Sequence, residues 1–193
     1  MRKSTILYEQ SIAQAAKGNM VSALQLINDA IDLSPAWYLQ ASKANYLYQM
    51  HDFTQAAQLF NQVRKRPDIS HACYLELSNN YACALQQLEQ IKQATALWQE
   101  IGNDPAYLTP EAAWFNLGII AWQEQELDTA LNLFDKALSR CPQYIDALFY
   151  KALVLHQQQN SKSAKDTLKK LLTMMPEHAP AQMLLNQWHV CLS

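Results

Sequence analysis

One spacing dominates this chain. Ala23, Ile27 and Ala30 stand at i, i+4 and i+7, and the same interval returns in Ala56, Phe60 and Val63 and in Ala94, Trp98 and Ile101. It returns again in Ala130, Phe134 and Ala137 and in Ala164, Leu168 and Leu171. Residues so placed share one face of an α-helix, whereas a half-buried strand needs strict alternation. A proline follows each triplet within a few residues, at Pro35, Pro67, Pro105, Pro142 and Pro176. Proline cannot supply the next helical N–H, so it stops the helix there. Each of these helices follows another apolar, small-residue stretch, so helices are expected two by two along the chain. The first members are expected at 6–17, 37–49, 71–87, 111–123 and 144–157, and the second at 20–33, 52–65, 90–101, 126–139 and 160–174. A last helix is expected at 179–191. Gly102 to Pro110 reads as an extended connection that ends in Thr109-Pro110-Glu111, an N-cap, a proline at the first helical position and a first-turn acid.

The pairs repeat. Trp114-Phe115-Asn116-Leu117-Gly118-Ile119-Ile120-Ala121 leads into Ala130, Phe134, Ala137 and Pro142. One repeat length later Ala152, Ala164, Leu168, Leu171 and Pro176 take the places of Gly118, Ala130, Phe134, Ala137 and Pro142. Upstream copies are weaker: Gly18, Ala23, Ile27, Ala30 and Pro35; Ala44, Ala56, Phe60, Val63 and Pro67; Ala82, Leu85, Ala94, Trp98, Ile101 and Pro105. In the first copy Leu7, Gln10 and Ser11 replace the Trp, Leu and Gly that the pattern asks for. Small residues let two backbones approach at each crossing, and the large residue four positions on fills the space beside it. This arrangement of small residues, aromatics and prolines resembles the tetratricopeptide-repeat (TPR) family.

That resemblance implies an all-α fold, a right-handed TPR superhelix (an α-solenoid) of antiparallel helix pairs. One domain would span 1–193, with repeats at about 4–35, 37–68, 71–105, 111–142 and 145–176. The helix at 179–191 would cap it, with Gln182, Asn186 and His189 on a polar face and Leu184, Leu185, Trp188 and Leu192 elsewhere.

Composition narrows the function. Half the residues are hydrophobic, glycines number three and prolines seven, so the chain can build a core and is neither linker nor collagen. A net charge of −2 gives no broad pull toward nucleic acid or anionic lipid. There is no run of eighteen apolar residues, and Glu9, Gln10 and Ser11 interrupt the start before a signal-peptide core forms. None of Cys73, Cys83, Cys141 and Cys191 sits in a Cys-x-x-Cys pair, and Cys73 and Cys83 would lie roughly 15 Å apart on one helix. Reduced thiols and a cytoplasmic location are expected. His51, His71, His156, His178 and His189 show no metal-ligand spacing, and there is neither a Gly-rich phosphate loop nor a serine elbow. The expectation is therefore not an enzyme, with no cofactor, no metal, no small-molecule substrate and no membrane insertion. Two basic clusters remain: Arg64-Lys65-Arg66 ends a helix, where cations complement the helix dipole, and Lys162, Lys165, Lys169 and Lys170 read as a solvated outer face, with a contact to an acidic partner or RNA as the sharper alternative.

The resemblance also implies a groove lined by the first helix of each pair. Carried onto this sequence, the groove positions are Tyr8, Glu9 and Ile12; then Tyr38, Ser42, Asn45, Tyr48 and Gln49; then Glu76, Asn79, Asn80, Cys83, Gln86 and Gln87. Phe115, Asn116, Ile119, Trp122 and Gln123 follow, and then Asp146, Phe149, Tyr150, Leu153 and His156. The peptide-binding candidates among them are Tyr38, Asn45, Tyr48, Asn79, Asn80, Gln86, Phe115, Asn116, Ile119, Trp122, Phe149, Tyr150 and His156. Amides can donate to and accept from a ligand backbone, and aromatics give contact area at low entropic cost. Phe115, Trp122 and Phe149 could equally pack between helices. The carboxylate-clamp members of the family need cations, and Ala41 and Ala112 stand where lysine would be wanted. The expected role is binding a peptide or client protein as adaptor, chaperone or assembly factor. The alternative is a self-associating scaffold, a homo-oligomer through the groove or the N-terminal repeat.

Overall fold

The turns inside the helix pairs share one backbone signature. In the computed structural model, which describes residues 2–190, φ is positive at Gly18, His51, Glu89, Gln125 and Gln159. Each is the residue that ends the first helix of a pair in the left-handed region. The following N–H then closes back on the helix, as in Asp52 N to Leu47 O (2.9 Å) and Gln90 N to Leu85 O (2.9 Å). Only glycine enters that region without strain; a side chain there costs about 1 kcal/mol. Four of the turns carry that cost. Replacing the exposed Glu89 with glycine should therefore raise stability by about 0.5–1 kcal/mol. A denaturant melt checks this, and a loss of stability would show that the Glu89 side chain makes a compensating contact.

Eleven helices lie among the described residues, with no strand between them. They are α1 (Arg2–Ala16), α2 (Met20–Leu33), α3 (Trp37–Gln49), α4 (Phe53–Arg64), α5 (His71–Gln87), α6 (Ile91–Gly102), α7 (Pro110–Gln123), α8 (Leu127–Arg140), α9 (Ile145–Gln157), α10 (Ser161–Met174) and α11 (Ala179–Val190). Asp52, Ser70 and Asn160 cap α4, α5 and α10 by accepting from Gln55, Cys73 and Ser163 N–H. Thr109 occupies the expected N-cap of α7, but its side chain makes no capping bond; Pro110 at the first helical position already removes one N–H that would need a partner. The first helix begins at Arg2, earlier than the expected residue 6.

The chain divides into two compact units within the 102–110 connection: residues 1–101 with 105–108, and 102–104 with 109–193. In unit 1, α1 pairs with α2 and α3 with α4, and α3 also touches α5. Ala23, Ile27, Ala30, Leu39 and Tyr46 form one cluster, and Ala44, Leu47, Ala56, Phe60, Val63 and Leu77 form another. Ser11 stands at the expected close crossing of α1 and is fully buried. Its hydroxyl lies 2.7 Å from Tyr8 O and 3.1 Å from the Tyr46 hydroxyl, so the polar atom is satisfied. Trp98 is also fully buried, and its indole N–H donates to Asn79 Oδ1 at 3.1 Å, tying α6 to α5.

Arg64 stands in the last turn of α4, as expected, and Arg64 and Arg66 also make specific contacts. The Arg64 guanidinium lies 5.6 and 5.0 Å from the ring centroids of Tyr74 and Tyr81. It donates to Tyr74 Oη and Ser78 Oγ, both at 3.3 Å, so it cements α4 to α5. Arg66 grips Asp68 through two bonds of 2.8 Å and also donates to Pro35 O and Gln40 Oε1 at the start of α3. That hydrogen bond from Arg66 holds the Asp68 carboxyl below the usual aspartate range.

In unit 2, α7 pairs with α8 and α9 with α10, and α11 packs on α10. Gly118 is where α7 meets α8: a Cβ there would lie 2.6 Å from a Phe134 ring carbon, and Phe134 is fully buried. Alanine gains about 1 kcal/mol of helix propensity over glycine, but overpacking a fixed ring costs about 1–3 kcal/mol. Gly118→Ala should therefore destabilise by about 1 kcal/mol in a denaturant melt, and a gain would mean that the ring gives way freely. Ala181 and Trp188 of α11 are buried against Leu148, Leu168 and Leu171, while Gln182 and Asn186 are exposed. Cys191 and Leu192 lie outside the described residues, as does the His189 side chain.

Candidate peptide-binding surface

In unit 1 the first helices of the pairs, α1, α3 and α5, leave gaps between them. Between α3 and α5 lies a cavity of about 300 Å³ whose walls include Trp37, Ala41, Asn45, Ala72, Leu77 and Asn80. A separate recess of about 210 Å³, lined by Asn45, Tyr48, Phe60, Asn80 and Cys83, shares Asn45 and Asn80 with it. On the other side of α3 a cavity of about 370 Å³ is lined by Ile12, Ala16, Ser42, Asn45 and Gln49, among others. Asn45 and Asn80 thus line recesses whose other walls are largely apolar. Among the described residues no hydrogen bond holds either side-chain amide. Burial, with the Cys83 thiol beside it, pushes the Tyr48 phenol above its ordinary pKa, so it is a neutral hydroxyl at physiological pH.

The other unit 1 candidates fall elsewhere. Asn79 sits one residue from Asn80, about 100° around the helix, and its carbonyl is committed to Trp98. Tyr38 is 39% exposed and leans on Tyr8 and Trp37, with centroids 5.5 and 6.1 Å apart. Gln86 is half-buried on α5, outside the sockets.

In unit 2 the aromatic candidates interlock. Phe115 lies 5.7 Å and Trp122 lies 5.4 Å from the Tyr150 ring, and Phe115 lies 5.9 Å from buried Phe134. The Trp122 indole donates to Gln157 Oε1 at 2.9 Å, and Gln157 donates to Gln125 Oε1 at 2.7 Å. Ile119 packs in the same cluster. Phe149 faces His178 at 5.2 Å, and His156 stacks on Trp188 of α11 at 4.1 Å. Asn116 is half-buried on α7. These rings largely meet one another. On α10, Lys162, Lys169 and Lys170 are exposed, and Lys169 stands 4.0 Å from Asp166.

Two family models described as tetratricopeptide repeat match residues 79–145 and 121–187, together more than half of the chain. The chain belongs to the tetratricopeptide-repeat family. Solved TPR structures resemble it over nearly its full length. PilF of Pseudomonas aeruginosa aligns with a TM-score of 0.82 at 15% identity, covering 99% of this chain and 85% of that one. PilW, described as a widely conserved type IV pilus biogenesis factor, aligns at 0.78 and 20% identity, covering 98% and 91%. YrrB, described as a TPR protein with an unusual peptide-binding site, aligns at 0.62 and 20%, covering 92% and 89%. No curated protein sequence matches the chain.

This TPR protein is an all-α solenoid of helix pairs, and its fold is that of a protein–protein interaction module. Among the described residues no helix is long and apolar enough to cross a membrane, and no group of three or more His, Cys, Asp or Glu is placed to hold a metal. Some socket residues lay beyond the sequence pattern. Leu108, 72% exposed, borders the α3/α5 cavity from the connection that the repeat pattern skips. Trp37 and Ala72 were visible only as ordinary helix positions, and Phe60 only as a packing position of the repeat.

Proposed function

We propose that this TPR protein is a non-catalytic, cytoplasmic binding module that holds a peptide segment of a protein partner on the α1/α3/α5 face of unit 1, as an adaptor or assembly factor. The observation that carries this reading is the pair Asn45 and Asn80. Both are unbonded among the described residues, and both line the recesses beside α3. Amides placed so are ready to pair with a peptide backbone whose side chains enter the sockets. The likeness to PilW and PilF lies in fold, and it brings no pathway with it.

Affinity capture from lysate of the native host tests the reading. The full chain should capture a partner that a Lys165→Ala/Lys169→Ala variant keeps and an Asn45→Ala/Asn80→Ala variant loses. The reverse result would move the site to the outer face of α10.

A further inference from the structure

Leu108 is the most exposed large hydrophobic side chain among the described residues, and it borders the α3/α5 cavity. A single exposed leucine on a flexible loop would need no explanation. This one is held in place: Tyr107 beside it is buried, and Pro105 and Pro110 flank the segment. The backbone that presents Leu108 is therefore set before anything binds, which lowers the entropic cost of using it. An apolar knob and an apolar hollow of about 300 Å³ thus share one patch of unit 1. We propose that this patch is a two-fold interface between two copies of the chain, with Leu108 of each copy seated in the α3/α5 cavity of the other.

Three features fit a second copy. The first is shape. In a two-fold interface every feature of the patch must find its complement on the same patch. Leu108 and the hollow beside it meet that condition, and one rotation buries both leucines at once. A foreign peptide anchored in the cavity has no use for the leucine. The second is hydrogen bonding. Asn45 and Asn80 line the same cavity and bond to nothing among the described residues. An amide both donates and accepts, so it pairs with the same amide of a copy, which neither a carboxylate nor an ammonium group does. The third is charge. Equivalent charges brought together across a two-fold axis repel. The cavity lining holds no cation and one carboxylate, Glu76, which has a partner within its own chain. The inference stands apart from the peptide reading, although a second copy and a peptide exclude one another on this face.

Sedimentation equilibrium of the full chain from roughly 1 μM to 1 mM tests this. The mass should rise from monomer to dimer and stop there, because a two-fold contact closes on itself. Leu108→Ser removes the knob, and Ala72→Phe, at an exposed position of the cavity wall, fills the hollow. Each should raise the dimer Kd about tenfold or more. Mixing the two variants separates this interface from any other. Leu108 of the Ala72→Phe chain can enter the open cavity of the Leu108→Ser chain, so the mixture should associate more tightly than either variant alone. A monomer at every concentration, growth beyond the dimer, a dimer indifferent to both changes, or a mixture no tighter than its parts would each overturn the inference. A monomer that captures a partner through Asn45 and Asn80 would overturn this inference and leave the peptide reading standing. A dimer that responds as expected but captures no partner would support this inference and count against the peptide reading alone.

Discussion

Trp98→Ala should lower the unfolding free energy by about 3–5 kcal/mol, the range for removing a fully buried large aromatic. Trp98 is the largest of the fully buried side chains, and it ties α6 to α5 through Asn79. Its removal has a second cost. The indole N–H is the donor to Asn79 Oδ1, so the half-buried carbonyl loses its partner as the cavity opens. Trp98→Phe separates the two effects: it keeps most of the volume and loses the hydrogen bond, and it should cost about 1–2 kcal/mol. Urea melts of the three proteins measure both, with the slope m expected to stay constant. A Trp98→Ala loss under about 1 kcal/mol would mean that α6 is not held by this side chain.

The second large effect concerns binding. Asn45 and Asn80 bond to nothing among the described residues, so Asn45→Ala/Asn80→Ala should leave folding stability within about 0.5 kcal/mol of the parent. The same change removes two amides that face a ligand backbone. At about 0.5–1.5 kcal/mol per bond the double variant should lose about 1–3 kcal/mol of affinity, roughly 5- to 150-fold in Kd. Isothermal titration with a captured partner segment reads this directly. An unchanged Kd in a folded variant would remove both residues from the site.

The helix pairs were legible because the interval i, i+4, i+7 is itself a statement about one helix face. Ala130, Phe134 and Ala137, picked out by spacing alone, are fully buried, as are Ala164, Leu168 and Leu171. The turns were less legible. Only Gly18 announces its left-handed backbone, whereas His51, Glu89, Gln125 and Gln159 adopt the same geometry with no sequence mark. Their helices close through backbone bonds that any residue can make. The site was legible in outline only. A repeat position says which way a side chain leaves its helix, and the neighbouring repeat decides whether it finds solvent. Phe115, Trp122 and Tyr150 leave α7 and α9 and meet one another. Asn79 and Asn80 were both candidates, but a turn of about 100° sends one to Trp98 and the other to the lining of the α3/α5 cavity.

The most direct measurement is where a partner touches. A benzophenone amino acid incorporated at the position of Ala72, at the mouth of the α3/α5 cavity, is to be compared with the same group at the position of Lys169 on the outer face of α10. On irradiation in cells of the native host, the Ala72 position should yield a cross-linked partner that Asn45→Ala/Asn80→Ala abolishes, and the Lys169 position should yield none. A partner cross-linked from Lys169 alone, unaffected by the asparagine changes, would contradict binding on the α1/α3/α5 face.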